Sequence, residues 1–104
     1  MDIMSVLRQA QELKKNFEQT QAELEQLTVT GTAGGGMVSA EVNGLGHVKR
    51  IKIDRSVVNP DDVEMLEDLV AVAVSEAQKK AQDEQKLRSS KLGDGMNLPF
   101  KLPF

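Results

Sequence analysis

Hydrophobic positions in the first quarter of the chain follow a helical spacing. Small or apolar side chains recur every three or four residues over 3–27: Val6, Ala10, Leu13, Phe17, Thr20, Leu24 and Leu27. This spacing predicts an amphipathic helix whose apolar stripe packs against another helix. Charged residues of both signs lie mostly off the stripe, as expected for a solvent-facing side.

From residue 28 the spacing changes to an alternation of apolar and polar residues, which is typical of half-buried strands. We predict strands at 28–32, 37–43 and 47–54. Ala33-Gly34-Gly35-Gly36 separates the first two strands. The second turn, Asn43-Gly44-Leu45-Gly46, contains an Asn-Gly pair that favours the positive φ angles of a tight hairpin. The expected fold is therefore α+β, α-β-β-β-α, with a three-stranded antiparallel meander between two long helices.

The second helix is predicted over 60–88. Asn59 is a suitable N-cap and Pro60 suits the first helical position. The apolar stripe comprises Val63, Leu66, Val70, Ala73, Ala77 and Ala81. Beyond Ala77 the sequence becomes almost entirely polar, so this half is expected to project from the body of the protein.

Residues 89–104 are predicted to form a flexible tail, because they contain Gly93, Gly95, Pro99 and Pro103. Within this tail Leu98-Pro99-Phe100 recurs as Leu102-Pro103-Phe104. Two interpretations remain open: a motif that docks into an apolar groove, and a frayed terminus with a few apolar residues.

A sheet of three short strands cannot cover two long helices along their whole length. The surplus apolar surface predicts either a second subunit or a helical arm that stands out in solvent. The 104 residues suggest one domain, residues 1–88, followed by the tail. A chain of this size with unpartnered helix surface would be marginally stable as a monomer.

Composition excludes several classes of protein. The net charge of −3 and the isoelectric point near 5.1 argue against a polycation that binds DNA by bulk charge. Cysteine is absent, which excludes disulfides and thiolate metal sites and fits a reducing cytoplasm. We expect no signal peptide, and no apolar run approaches the roughly 18 residues of a membrane-spanning helix.

Catalytic constellations are missing from the sequence. The single histidine, His47, has no partner spaced to form a catalytic triad or a metal site. The triple glycine at 34–36 lacks the Lys-Ser/Thr of a P-loop and precedes a predicted strand. The acidic run that begins at Asp61 lacks calcium-loop spacing. We therefore predict no enzyme activity, no metal and no cofactor.

Positive charge is concentrated in zones. One zone extends from Lys79 to Lys91, and another covers the third strand, with Lys49, Arg50, Lys52 and Arg55. Such cations can simply stabilise a helix C-terminus and keep polar arms soluble. They can also contact the phosphates of nucleic acid. No aromatic residue lies among them, so a duplex held by its backbone fits better than a stacked single strand.

Three segments are the most specific in the chain: LTVTG through VNG in the meander, EDLVAVAVSEA in the second helix and GMNLPF near the end. In this order and spacing they resemble the YbaB/EbfC family of bacterial nucleoid-associated proteins. The resemblance covers nearly the whole chain. It implies a tight homodimer shaped like a pair of tweezers, which binds double-stranded DNA with its helical arms. It also implies a cytoplasmic, nucleoid location and an influence on gene expression or recombination.

Transferred by position, the DNA-facing candidates are cations of both helices: Arg8, Lys14, Lys15, Lys79, Lys80, Lys86 and Arg88. The first helix sets its cations against more acidic residues, which predicts weak or strongly salt-dependent binding, or binding confined to the second helix. The alternative function is an adaptor that binds a recombination or replication protein through the arms, the acidic patch at Asp61–Glu67, or the LPFKLPF tail.

Overall fold

The order of elements confirms the predicted α-β-β-β-α architecture. A computed structural model describes residues 2–95. Its elements are α1 (Ile3–Gln26), β1 (Val29–Ala33), β2 (Val38–Val42), β3 (Val48–Ile53), a short 3-10 turn (Arg55–Val57) and α2 (Val63–Gly95). Each strand boundary lies within about one residue of its prediction, which is the usual uncertainty of such boundaries.

The three strands form one antiparallel sheet in the order β1-β2-β3. Val29 pairs with Val42, and Val38 pairs with Ile53, so the strands follow one another as the predicted meander. The turn between β1 and β2 uses Gly34, Gly35 and Gly36, whose φ angles of 62°, 65° and 93° suit glycine far better than other residues.

The loop between β2 and β3 differs from the predicted Asn-Gly turn. The glycine with positive φ is Gly46, at 88°, and not Gly44. The side-chain oxygen of Asn43 accepts hydrogen bonds from the backbone N–H groups of Leu45 (2.9 Å) and His47 (3.0 Å). Gly44 instead serves close packing against α1, because a Cβ there would lie 2.8 Å from the carbonyl oxygen of Leu24.

α2 packs across one face of β1 and β2. Alternate residues of β2 point into this interface, so Val38, Ala40 and Val42 are fully buried. They meet Ala73, Ala77 and Ala81, which recur every four residues along α2 and are also fully buried. Alanine brings the helix backbone close to the sheet, so the core is thin and consists of small side chains.

The predicted start of the second helix is three residues too early. Asn59 accepts a hydrogen bond from the backbone N–H of Asp61 at 3.0 Å and so stabilises a turn that precedes the helix. Pro60 occupies the second position of this turn, where its fixed φ is equally suitable. Helix α2 begins at Val63, and the carboxylate of Asp62 accepts from the Met65 N–H at 3.2 Å. Asp62 is therefore the capping residue.

The second half of α2 stays against the body for longer than predicted. Ala81 is fully buried, and the side-chain amide of Gln85 donates to the carbonyl of Gly44 at 2.8 Å. The prediction that the helix projects beyond Ala77 is thus wrong, because the β2–β3 loop reaches along it. The helix also continues past Arg88 to Gly95, so the first part of the predicted tail is helical. Residues 96–104, with the repeated Leu-Pro-Phe, lie outside the described residues.

α1 leaves most of its apolar stripe uncovered. Leu24, near its end, is buried at 3% exposure, but Phe17 is 54% exposed and Ile3 is 74% exposed. Val6, Leu7 and Leu13 are exposed as well. The unpartnered helix surface predicted from the sequence therefore lies mainly on α1. No helix within residues 2–95 combines the length and apolarity needed to cross a membrane.

Candidate nucleic-acid interface

The candidate cations of α1 are all exposed but lie on different sides of the helix. Arg8 and Lys15 are seven residues apart, which places them on one face at a separation of about 10 Å. This face is opposite the apolar stripe that includes Leu13 and Phe17. Lys14 lies beside that stripe. Coverage of the stripe by another helix would therefore leave Arg8 and Lys15 accessible.

The four candidate cations of α2 fall into two pairs. Lys79 and Lys86 are also seven residues apart, and both are exposed on the side of the helix opposite Ala77. In the described part of the chain, neither forms an ion pair. The outer face of α2 thus presents two accessible amines about 10 Å apart along the helix axis.

Lys80 points back toward the sheet. Its amine lies 3.1 Å from the carboxylate of Glu76 and donates to the carbonyl of Thr30 at 3.1 Å. Glu76 also accepts from the backbone N–H of Thr32 at 3.3 Å. The hydrogen bonds from Lys80 and Thr32 lower the pKa of Glu76 below its ordinary value. Lys80 therefore ties α2 to the edge strand β1.

Arg88 joins the two helices. Its guanidinium lies 3.1 Å from the carboxylate of Glu84, one turn earlier on α2, and 3.1 Å from that of Glu23 on α1. Exposed ion pairs contribute little to stability on their own. This one nevertheless contacts α1 close to the point where its buried stretch ends. Arg88 is thus placed to orient the exposed part of α1.

Cations on β3, which the predicted site does not include, form a further positive region. Arg50 and Lys52 are exposed on the sheet face that α2 does not cover, where Glu41 pairs with Arg50 across the strands. Lys49 is held near α1, because its amine donates to the Leu27 carbonyl at 3.1 Å and to the Thr28 hydroxyl at 3.0 Å. Strand alternation alone would have placed Arg50 and Lys52 on one face of the sheet, because they are two residues apart, and would have placed Lys49 on the other.

The described residues contain no group of three or more His, Asp or Glu side chains arranged to hold a metal ion. His47 is exposed just before β3, and its backbone N–H donates to the side-chain oxygen of Asn43. The local geometry thus concentrates accessible cations on helix faces.

The chain is similar to known proteins along its whole length. The sequence profile of the YbaB/EbfC DNA-binding family matches residues 1–96. A nucleoid-associated protein of Gemmatimonas aurantiaca is 50% identical over 104 residues, covering 100% of both chains. One from Xylella fastidiosa is 44% identical, covering 99% of this chain and 96% of its own.

A solved structure is similar as well. The crystal structure of the uncharacterized protein HP0035 from Helicobacter pylori aligns with a TM-score of 0.78 at 27% identity, covering 88% of this chain and 97% of that one. The elements seen here are therefore shared with an experimentally determined fold. With the match over residues 1–96 and relatives of up to 50% identity across the full length, this chain belongs to the YbaB/EbfC DNA-binding family.

Proposed function

We propose that this chain acts as a homodimeric, non-enzymatic protein of the bacterial nucleoid that binds double-stranded DNA mainly through its phosphates. Membership of a DNA-binding family supports the ligand, and the names of its relatives support the nucleoid location in the cytoplasm. The observation that carries the mode of binding is the pair of outward-facing amines of Lys79 and Lys86, together with Arg8 and Lys15 on α1.

The spacing of the outward-facing cations is compatible with contact to the phosphates of duplex DNA. A separation of about 10 Å along a helix corresponds to roughly three base-pair steps of duplex DNA. Lysine and arginine at this spacing can contact phosphates that lie about three steps apart, and such contacts carry no sequence preference. Acidic residues such as Asp83, between Lys79 and Lys86, weaken the local positive potential. We therefore expect binding of moderate affinity that falls steeply with salt.

The dimer is supported by uncovered apolar surface in two places. The stripe of α1 is exposed from Ile3 to Phe17, and on β3 Val48 and Ile53 are exposed at 49% and 41%. Burying apolar surface of this kind drives association. Because Arg8 and Lys15 lie opposite the α1 stripe, dimerisation through the stripe would leave them free to contact DNA.

The test compares two double variants that remove the same charge. Lys79→Ala with Lys86→Ala removes the outward amines. Lys49→Ala with Lys80→Ala removes two amines that are already bonded within the chain. Each lost phosphate contact should lower the salt dependence of log K by about 0.9, so the first variant of a dimer should lose roughly 2 to 4 from the slope.

Fluorescence anisotropy with two unrelated 20-base-pair duplexes, titrated over a range of salt, measures both slopes. The first variant should weaken binding about equally on both duplexes. An equal effect of the two variants would show that bulk charge, and not the outer face of α2, determines affinity. Absence of DNA binding by the natural chain at any salt would favour the adaptor function, with a recombination or replication protein as partner.

A further inference from the structure

A groove lies between the β1–β2 turn and the first part of α2. Its apolar lining comes from Ala33 on β1 and from Met65, Leu69 and Val72 on α2. Its volume is about 390 Å³, within the range of sites that hold apolar side chains of a ligand. Val72 is 56% exposed and Met65 is 40% exposed, so the described part of the chain leaves this lining open.

The rim of the groove is acidic. Asp62, Glu64 and Asp68 contribute to it, and each is exposed. Within residues 2–95 none of these carboxylates is part of an ion pair. The surface therefore suits an apolar ligand that carries positive charge.

This chain itself contains such a ligand. The segment 98–104 reads LPFKLPF, in which two Leu-Pro-Phe units flank Lys101. Its apolar side chains match the lining, and its single cation matches the rim. Two prolines restrict the backbone, which reduces the entropy lost on docking.

Chain length determines which copy can supply the segment. Leu69 lies 26 residues before Gly95 on one continuous helix, a distance of about 39 Å along the axis. Phe100 follows Gly95 by five residues and can reach at most about 18 Å, and Phe104 at most about 32 Å. Phe100 therefore cannot reach the groove of its own chain, and even the fully extended backbone at Phe104 falls short of Leu69 by about 7 Å.

We propose that the groove between Ala33 and Val72 binds the segment 98–104 of a second copy of this chain. In this arrangement Phe100 and Phe104 fill the apolar lining and Lys101 lies among Asp62, Glu64 and Asp68. The contact is independent of DNA binding, so the two proposals can fail separately. It links copies through a site that the α1 stripe does not use.

Photochemical crosslinking of the full chain tests this contact in the absence of DNA. Phe100 is replaced by p-benzoylphenylalanine in unlabelled chains, which are unfolded and refolded together with an equal amount of unmodified ¹⁵N-labelled chains. Mass spectrometry of the irradiated mixture then identifies the linked peptides. We expect Phe100 of unlabelled chains to be linked to residues 62–72 of labelled chains. The same analogue in place of Phe17, on exposed α1, is the matched control and should not link to the groove.

A charge exchange gives a second, independent readout. Glu64→Lys with Asp68→Lys in the labelled copy should lower the crosslink yield about fivefold, and Lys101→Glu in the unlabelled copy should restore it. Crosslinks that join only unlabelled peptides of one chain, or that fall outside residues 62–72, would overturn the proposal. So would a yield that the charge exchange leaves unchanged.

Discussion

Gly31 on β1 is the point where the sheet and α2 approach most closely. A Cβ atom there would overlap the backbone nitrogen of Ala77 and the backbone oxygen of Ala73, and would lie 2.9 Å from Ala77 Cα. These are backbone atoms, so no side-chain rotation can relieve the contact. Gly31→Ala must push the helix away from the sheet, by about one ångström to bring the nearest of these backbone atoms to the 3.4 Å of ordinary contact.

The energetic cost can be estimated from this geometry. Overpacking of a dense core costs typically 1–3 kcal/mol, and a rigid contact such as this belongs at about 3 kcal/mol or above. The lower backbone entropy of alanine in the unfolded chain returns about 0.5–1 kcal/mol. We therefore expect Gly31→Ala to lower the free energy of unfolding by at least about 2 kcal/mol.

Gly35→Ala is the matched control. A Cβ at Gly35 meets nothing within 4 Å, but its φ of 65° strains an alanine by about 1 kcal/mol. After the entropy gain the net loss should be about 1 kcal/mol or less. The two variants thus separate steric overlap from backbone strain.

Urea denaturation, monitored by circular dichroism, measures the free energy of unfolding of both variants. With a slope of about 1.5 kcal/mol per molar urea, Gly31→Ala should lower the midpoint by more than about 1 M. Protein concentration is held constant, because a dimer's apparent stability depends on it. If Gly31→Ala were no more destabilising than Gly35→Ala, the close approach of α2 to β1 would not be a determinant of stability.

Three further predictions concern association, helix orientation and pH. Light scattering should give twice the 11.4 kDa chain mass, and Phe17→Glu should shift it toward one chain mass; an unchanged dimer would exclude the α1 stripe as the interface. Arg88→Ala should speed hydrogen exchange of the backbone amides in α1 with little effect on the sheet. Exchange rates in α1 that are the same in the variant and the natural chain would contradict the orienting role of Arg88. Hydrogen bonds from Lys80 and Thr32 lower the pKa of Glu76, so its contribution to the free energy of unfolding is present near pH 7 and is lost as pH falls through its folded pKa. The free energy of unfolding of Glu76→Gln should therefore differ most from that of the natural chain near pH 7 and less near about pH 3. A difference that does not change with pH would argue against this contribution.

Local patterns predicted most of the architecture. The alternation over 28–54 was sufficient for the three strands, because side-chain direction in a strand depends only on neighbouring residues. The four-residue recurrence of Ala73, Ala77 and Ala81 likewise indicated the buried face of α2. The local sequence did not give the correct start of α2, because two local structures compete there. Pro60 suits both a helix start and a β-turn, and Asp62 caps the helix instead of Asn59.

The candidate interface was less predictable. Lys79 and Lys80 are adjacent in sequence, yet Lys79 is exposed on the outer face while Lys80 bonds to Glu76 and Thr30. Helical periodicity could have shown that Lys79 lies on the side of α2 opposite the buried Ala77, whereas Lys80 lies closer to the buried side. The pairing of Arg88 with Glu23 had no such signal, since it joins residues that are far apart in the sequence.

The sequence alone therefore determined the elements, their order and the family, because these depend on short-range periodicity and on motifs in a fixed order. Only the tertiary structure decided which helix stays uncovered, which cations remain accessible and where an apolar groove with an acidic rim forms. These properties arise when distant segments meet: α2 approaches β1 most closely at Gly31, and the β2–β3 loop contacts the end of α1 at Leu24. Spacing along a single segment carries no information about such contacts.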